Sequence, residues 1–300
     1  MKVVYRYIFI GCFFASNSFA EGITNENQVL AKIEYLQGNL NVMMQDTALW
    51  LDSFAGEDKS KKTASANGYL QLGWLPRTAD FGDNEIKLKV RLRLPHLSET
   101  FSVVFDNDDE DDIKLDYEVD PLDTKKDDLN LAVQYIKKIN DALSIKNRLG
   151  ISRQQLYLRS EIKKKWLFEH FQFILTPRLD YFHSDGWAPS LKAVITYPLK
   201  NNLLSFSTSW QKVQKDNYPR RKAGLYHIKN MQEQTLVVTG LQYTKNQNDQ
   251  ESYLISSRYR HLFHKNWLFY EIEPFIEFKQ KYAYRREAGL MLRLIAYYGR

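Results

Sequence analysis

The chain has 300 residues, room for one large or two ordinary domains, and 44% apolar content beside 42 basic and 36 acidic residues excludes a disordered, like-charged chain. A net charge of +6 without a Lys/Arg block or an aromatic RNA-binding motif argues against nucleic acid as a partner. With 19 Tyr and 17 Phe, scattered Gly and Pro and no internal repeat, the composition points to β structure.

The chain opens "MKVVYRYIFIGCFFASNSFAEG", where Lys2 and Arg6 precede an apolar run and Ser18 and Ala20 supply small residues. This predicts a signal peptide over 1–20 with cleavage after Ala20. Phe9-Ile10-Gly11-Cys12 faintly resembles a lipoprotein acylation box, but the apolar run continues through Phe13 and Phe14. Cleavage removes the single cysteine, Cys12, so neither a disulfide nor a Cys-ligated metal is expected in the mature chain. No later segment has the unbroken apolar length of a membrane-spanning helix.

From Asn25 to Phe54, the residues Val29, Ile33, Leu36, Leu40, Met43, Thr47, Trp50 and Phe54 recur at alternating spacings of four and three, one stripe of a helix. The reading is an amphipathic helix that packs on its own domain or on the membrane surface, with self-association as the alternative. Residues 56–68 are polar linker chemistry. The expected organisation is a signal peptide (1–20), a periplasmic helical segment with its linker (21–67) and a β domain (68–300).

Beyond residue 68 the chain alternates. Residues 86–94 read "IKLKVRLRL", and because successive strand side chains point to opposite faces, one face is aliphatic and the other carries four cations. Strands are expected near 68–75, 85–94, 100–106, 128–137, 142–152, 154–164, 170–182, 188–199, 202–213, 223–231, 234–245, 251–262, 266–279 and 285–298. One-sided apolar rows include Phe101, Val103, Phe105; Leu129, Leu131, Val133, Tyr135; Phe171, Phe173, Leu175, Leu179, Tyr181; and Leu191, Ala193, Ile195, Tyr197.

Three features place the apolar faces outward, against lipid. Connections alternate between tight ("PHLSE", "KIND", "LKNN", "FHKN") and long ("PRTADFGDN", 106–128, "KDNYPRRKA", "KNQNDQ"), as short periplasmic turns and longer outer loops would. Aromatic residues gather at strand ends, Trp74, Tyr181, Trp187 and Trp210 at one rim and Tyr135, Tyr197, Trp267 and Tyr298 at the other. A closed barrel of about fourteen strands with an apolar interior would enclose more space than side chains fill, since about eight strands already suffice. The fold class is therefore all-β, a transmembrane antiparallel up-and-down barrel of about fourteen strands with an N-terminal periplasmic helix. Twelve strands is the alternative, because 100–106 and 223–231 are the weakest, and a soluble two-sheet sandwich is the competing architecture.

That orientation sends a set of charges inward: Lys87, Lys89, Arg91, Arg93, Lys146, Arg148, Arg159, Glu161, Arg178, Asp180, Arg258, Arg260, Glu271, Glu273, Glu277 and Arg293. Both signs are present, which favours mutual pairing, while Ser205, Ser207 and Ser209 form a smooth polar track that favours some water.

The last strand, "EAGLMLRLIAYY", carries Glu287, Gly289, Leu292 and Leu294 in a polar-x-Gly-x-x-hydrophobic-x-hydrophobic order, with Tyr298 extending the outward row. The segment resembles the sorting signal read by the bacterial outer-membrane assembly machinery, although Gly299 and Arg300 follow the aromatic. With "NWLFYEIEPFIEF" before it, the C-terminus is similar to an uncharacterised family of Gram-negative outer-membrane barrels. The resemblance implies that location and that machinery as partner, and no assigned activity.

No catalytic residue and no cofactor is assigned, and an enzyme is not expected. "YFHSDGW" places His183, Ser184 and Asp185 at a rim, but the outer-membrane phospholipase pattern spaces its His and Ser differently, and Ser-Asp-Gly is ordinary turn chemistry. His96, His170, His227, His261 and His264 lack metal-ligand spacing. The twelve carboxylates from Asp106 to Asp128 have Asp111 where an EF-hand loop needs Gly, so a solvated outer loop is the plainer reading. The sequence leaves two functions: a structural or accessory barrel, or narrow channel, with a charged lumen, and a passive diffusion porin or solute transporter. Expected partners are outer-membrane lipid and lipopolysaccharide, the assembly machinery, and a periplasmic partner or second copy through 25–54.

Overall fold

The computed structural model describes residues 65–78, 83–93, 101–107, 130–152, 155–200, 202–232, 235–265 and 267–299. The signal segment, the 25–54 stripe, most of the acidic run and His96 lie outside them.

Fourteen strands form a closed barrel in which each pairs antiparallel with the next and the last returns to the first. They are β1 (Ser65–Leu75), β2 (Asp83–Arg93), β3 (Phe101–Asp106), β4 (Asn130–Asn140), β5 (Leu143–Ser152), β6 (Gln155–Leu167), β7 (Gln172–Phe182), β8 (Gly186–Pro198), β9 (Asn202–Gln211), β10 (Arg220–Gln232), β11 (Thr235–Lys245), β12 (Glu251–His264), β13 (Leu268–Lys279) and β14 (Arg286–Tyr298). The number is fourteen and not twelve. β10, weak in sequence because Gly224 and its basic start blur the alternation, runs for 13 residues.

Strand limits move by up to three residues from the sequence reading, and two strands show why. β1 begins at Ser65, within the stretch read as linker, because the small polar run "SAN" pairs with Arg93, Leu92 and Arg91 of β2. β3 is only 6 residues long, and the ladder is extended past it by a side chain. The Asn107 carboxamide accepts from the Leu88 N–H (2.6 Å) and donates to the Ile86 carbonyl (2.7 Å), doing for β2 what a further residue of β3 would do.

With an even number of strands, Ser65 and Tyr298 lie at one rim, the terminal rim; Leu75, Asp106 and the connections 212–219, 246–250 and 280–285 lie at the opposite, loop rim. Alternation along each strand sorts polarity between the faces. In β7, Thr176, Arg178, Asp180 and Phe182 are buried while Pro177, Leu179 and Tyr181 are exposed. Across the barrel Leu149, Ile151, Leu156 and Leu158 are each more than half or half exposed, while Asp180, Gln134 and Glu273 are 0% exposed. Polar residues inside and aliphatic residues outside invert the arrangement of a water-soluble domain, and hydrocarbon is the solvent that suits such a surface. In "IKLKVRLRL", Ile86 points outward and is 53% exposed, whereas Lys87 turns inward onto Glu85.

The aromatic rims are correct at one end and need correction at the other. Trp74, Tyr181, Trp187 and Trp210 project outward at the loop rim, and Tyr197 at the terminal rim. Trp267 and Tyr298, assigned to that second girdle, are buried instead, Trp267 against His264 and Tyr298 with its hydroxyl on a backbone carbonyl.

Candidate functional site

The barrel's distinctive chemistry is its inner wall, where the register of adjacent strands decides which charges meet. Lys87, Lys89, Arg91, Lys146, Arg148, Arg159, Glu161, Arg178, Asp180, Arg258, Arg260, Glu271, Glu273, Glu277 and Arg293 share the inner face, while Arg93, on the same row of β2, is exposed at the terminal rim. They form three groups.

The first spans β12, β13, β14, β1 and β2. Arg293 Nη1 lies 2.8 Å from Glu273 Oε2 and 3.2 Å from Glu271 Oε2, and its Nε lies 3.4 Å from Glu85 Oε2. Glu271 also accepts from Arg260 Nε (2.6 Å), Glu273 from Arg258 Nε (3.0 Å), and Glu85 from Lys87 Nζ (2.9 Å) and Gln71 Nε2 (2.8 Å). The three carboxylates are at most 3% exposed. Burying such charges costs several kcal/mol per ion unless each is paired and hydrogen-bonded, as these are.

The second group lies on β2 to β8. Asp180 is shared by two guanidiniums, Arg159 (Nε–Oδ1 2.8 Å) and Arg178 (Nη2–Oδ2 2.9 Å). Arg148 donates to Gln134 (2.8 Å), whose amide reaches Ser102 (3.4 Å), and Asp106 accepts from Asn130 (3.1 Å) with Lys89 at 3.9 Å. Lys146 stands opposite Glu161, Arg148 opposite Arg159, and Lys192 opposite Thr176 and Ser209. On β5 to β8 positive charge outweighs negative on the inner face: Lys146, Arg148, Arg159, Arg178 and Lys192 against Glu161 and Asp180.

The third sits near the loop rim. Glu277 pairs with Lys279 (2.9 Å) and Arg77 (3.6 Å), and Glu287 with the same two cations at 3.6 and 3.9 Å. Beside it an open recess is lined by Gln242, Thr244, Glu251, Ser252 and Lys281, among others.

Sequence reasoning missed several participants. Glu85 continues the row of Lys87 at the same parity, a signal that was available, and Lys192 shares its face with Ser190. Arg77 follows Pro76 in what read as a loop, and only its bridge to Gly289 brings it to Glu277. Two apolar patches on the inner face were also unforeseen: Leu75, Leu254, Phe275 and Met291, and Ala132, Tyr157, Phe182 and Ala188 joined by Val213 from the β9–β10 connection. Of the serine track, Ser205 and Ser207 are buried, next to Tyr226, whose hydroxyl donates to Gln242 (3.0 Å), and Ser209 is half-buried.

Other candidates have structural partners. In the β7–β8 turn, Ser184 N–H donates to Gln155 (3.0 Å), and Asp185 is held by Lys215 (3.0 Å) and Gln155 (3.0 Å). His261 Nδ1 lies 2.7 Å from Thr235 Oγ1, with its ring against Tyr259 and Tyr270. Among the described residues, no three His, Cys, Asp or Glu side chains converge as metal ligands. In the sorting-signal-like strand, Glu287 joins the third ion-pair group, Leu292 and Leu294 face outward, and Gly289 lies under the Phe275 ring, where a Cβ would come within 2.3 Å of the ring.

No protein-family model and no curated protein matches the chain. Solved structures do. OmpTdeltaL8, a loop L8 deletion mutant of OmpT, an outer membrane protein of Vibrio cholerae, matches with a TM-score of 0.52 at 10% identity, over 79% of this chain and 99% of that one. Pseudomonas aeruginosa OccK10 matches with a TM-score of 0.48 at 11% identity (78% and 98% covered), and Acinetobacter baumannii OccAB4 with 0.47 at 8% (80% and 99%). The likeness to the Vibrio protein is one of fold: this chain has the closed antiparallel barrel of an outer-membrane protein.

Proposed function

We propose that the chain is an integral protein of a Gram-negative outer membrane, exported by a signal peptide cleaved near Ala20, that forms a narrow channel with a salt-bridged wall and not a wide diffusion pore. The observation that carries this is the pairing of the buried wall charges, above all Glu85, Glu271 and Glu273 around Arg293. A wide aqueous pore has no need to neutralise its wall side chain by side chain, because water and counterions do so. The excess of basic groups on β5 to β8 sets the sign of any current: a low-dielectric wall focuses their field and enriches anions. Lipopolysaccharide contacts the outward face, the assembly machinery reads the last strand, and residues 25–54 engage a periplasmic partner or a second copy.

Planar-bilayer recording of the purified protein tests this reading. A small, anion-preferring conductance is expected. A large unselective conductance, or a protein recovered from the soluble periplasm without detergent, would refute it.

A further inference from the structure

The sheet closes where β1 meets β14, and that ladder is short. It runs from Gly68–Tyr298 to Trp74–Leu292, whereas β1 pairs with β2 along its whole length, from Ser65–Arg93 to Leu75–Asp83. Two side chains of β14 reach past β1 altogether. On the inner face Arg293 meets Glu85 of β2 (Nε–Oε2 3.4 Å), and Gly73 lies between them in the same row, opposite both. A Cβ on Gly73 would stand 3.0 Å from Glu85 Oε2 and 3.6 Å from Arg293 Cγ. On the outer face the Tyr298 hydroxyl donates to the Lys89 carbonyl of β2 (2.5 Å), and its ring lies over Gly68, where a Cβ would meet the phenol oxygen at 2.2 Å. Neighbouring strands sit about 4.8 Å apart, so only a long side chain over a bare backbone makes this second-neighbour contact.

We propose that Arg293 and Tyr298 form a two-sided latch that fastens β14 directly to β2 over the glycines of β1, holding the barrel's seam closed in one register. The two glycines are five residues apart, as are the two latch residues, in opposite chain directions, so a single antiparallel register seats both. A slip of one residue would turn Arg293 toward lipid and Tyr298 into the bore. A slip of two would bring Tyr298 over Ala66 or Leu70 and Arg293 over Gln71 or Leu75, where side chains block the crossing. The latch residues belong to the last strand yet both end up buried, so they act after β14 has found β1.

The test is hydrogen exchange on the detergent-purified full-length barrel. Tyr298→Phe removes one hydroxyl, and Gly73→Val fills the inner crossing between Glu85 and Arg293 with a branched side chain. Each is expected to accelerate exchange in 65–75 and 292–298 by about tenfold, the loss of one buried hydrogen bond, while 155–182 keeps its wild-type rate. Tyr226→Phe, which removes a buried hydroxyl far from the seam, is the control and should leave 65–75 unchanged. Leu72→Cys with Leu294→Cys, at positions that are register partners, joined by a short bis-maleimide linker should cancel the Tyr298→Phe effect. If one variant fails to fold, the other carries the test. Unchanged exchange at 65–75, an acceleration spread evenly over all strands, or an effect that survives the linker would overturn the latch.

Discussion

Arg293 and Glu273 lie 2.8 Å apart on neighbouring strands, both buried, and that pair is the centre of a network reaching from β12 to β2. Removing the cation leaves Glu85, Glu271 and Glu273 sharing less positive charge in a buried site. Arg293→Met is expected to cost about 3–5 kcal/mol. Adding Glu273→Gln should return part of that loss by removing the stranded charge. Urea unfolding in lipid vesicles, with folded and unfolded forms separated on unheated gels, measures both. A neutral effect of Arg293→Met would show that the network is not stabilising.

The two faces of β7 give a sharper comparison because adjacent residues report on different solvents. Leu175 lies on the outer face between Phe173 and Pro177, so Leu175→Arg should destabilise by about 2–4 kcal/mol if it sits near the midplane. Thr176, one residue along, faces inward opposite Lys192. Thr176→Glu should be tolerated, since it places a carboxylate beside that ammonium. Equal damage from both substitutions, read by the same unfolding assay, would contradict the register.

The alternation of Ile86 to Arg93 and of Phe171 to Phe182 was enough to place side chains inside or outside, because a strand's period of two is a property of the chain alone. Pairings are different. That Arg293 meets Glu85, or that Asp180 serves both Arg159 and Arg178, depends on the stagger between strands, and nothing local to either residue encodes it. Tyr298 misled for the same reason. Its outward parity was legible, but Gly68 beside it, which makes room for the ring, is 230 residues away in sequence. Arg77 and Val213 were hidden because they act from connections, where no period exists to read.

Lys87 provides a test of whether the wall is paired or open. Its ammonium lies 2.9 Å from Glu85, so Lys87→Glu replaces an attraction with a repulsion beside a carboxylate that is 3% exposed. In a salt-bridged wall the substitution should lower the temperature at which the folded gel band converts to the unfolded one. In a wide aqueous bore, screening would leave folding unchanged and only the ion selectivity would move toward cations. Lys192→Gln serves as the companion, because Lys192 belongs to the basic excess on β5 to β8 and the substitution removes an inward cation without adding a carboxylate. Its loss should weaken anion preference while changing stability less than Lys87→Glu does. Lys87→Glu with wild-type stability and a full reversal of selectivity would show that the charges meet water and ions in the bore, not one another.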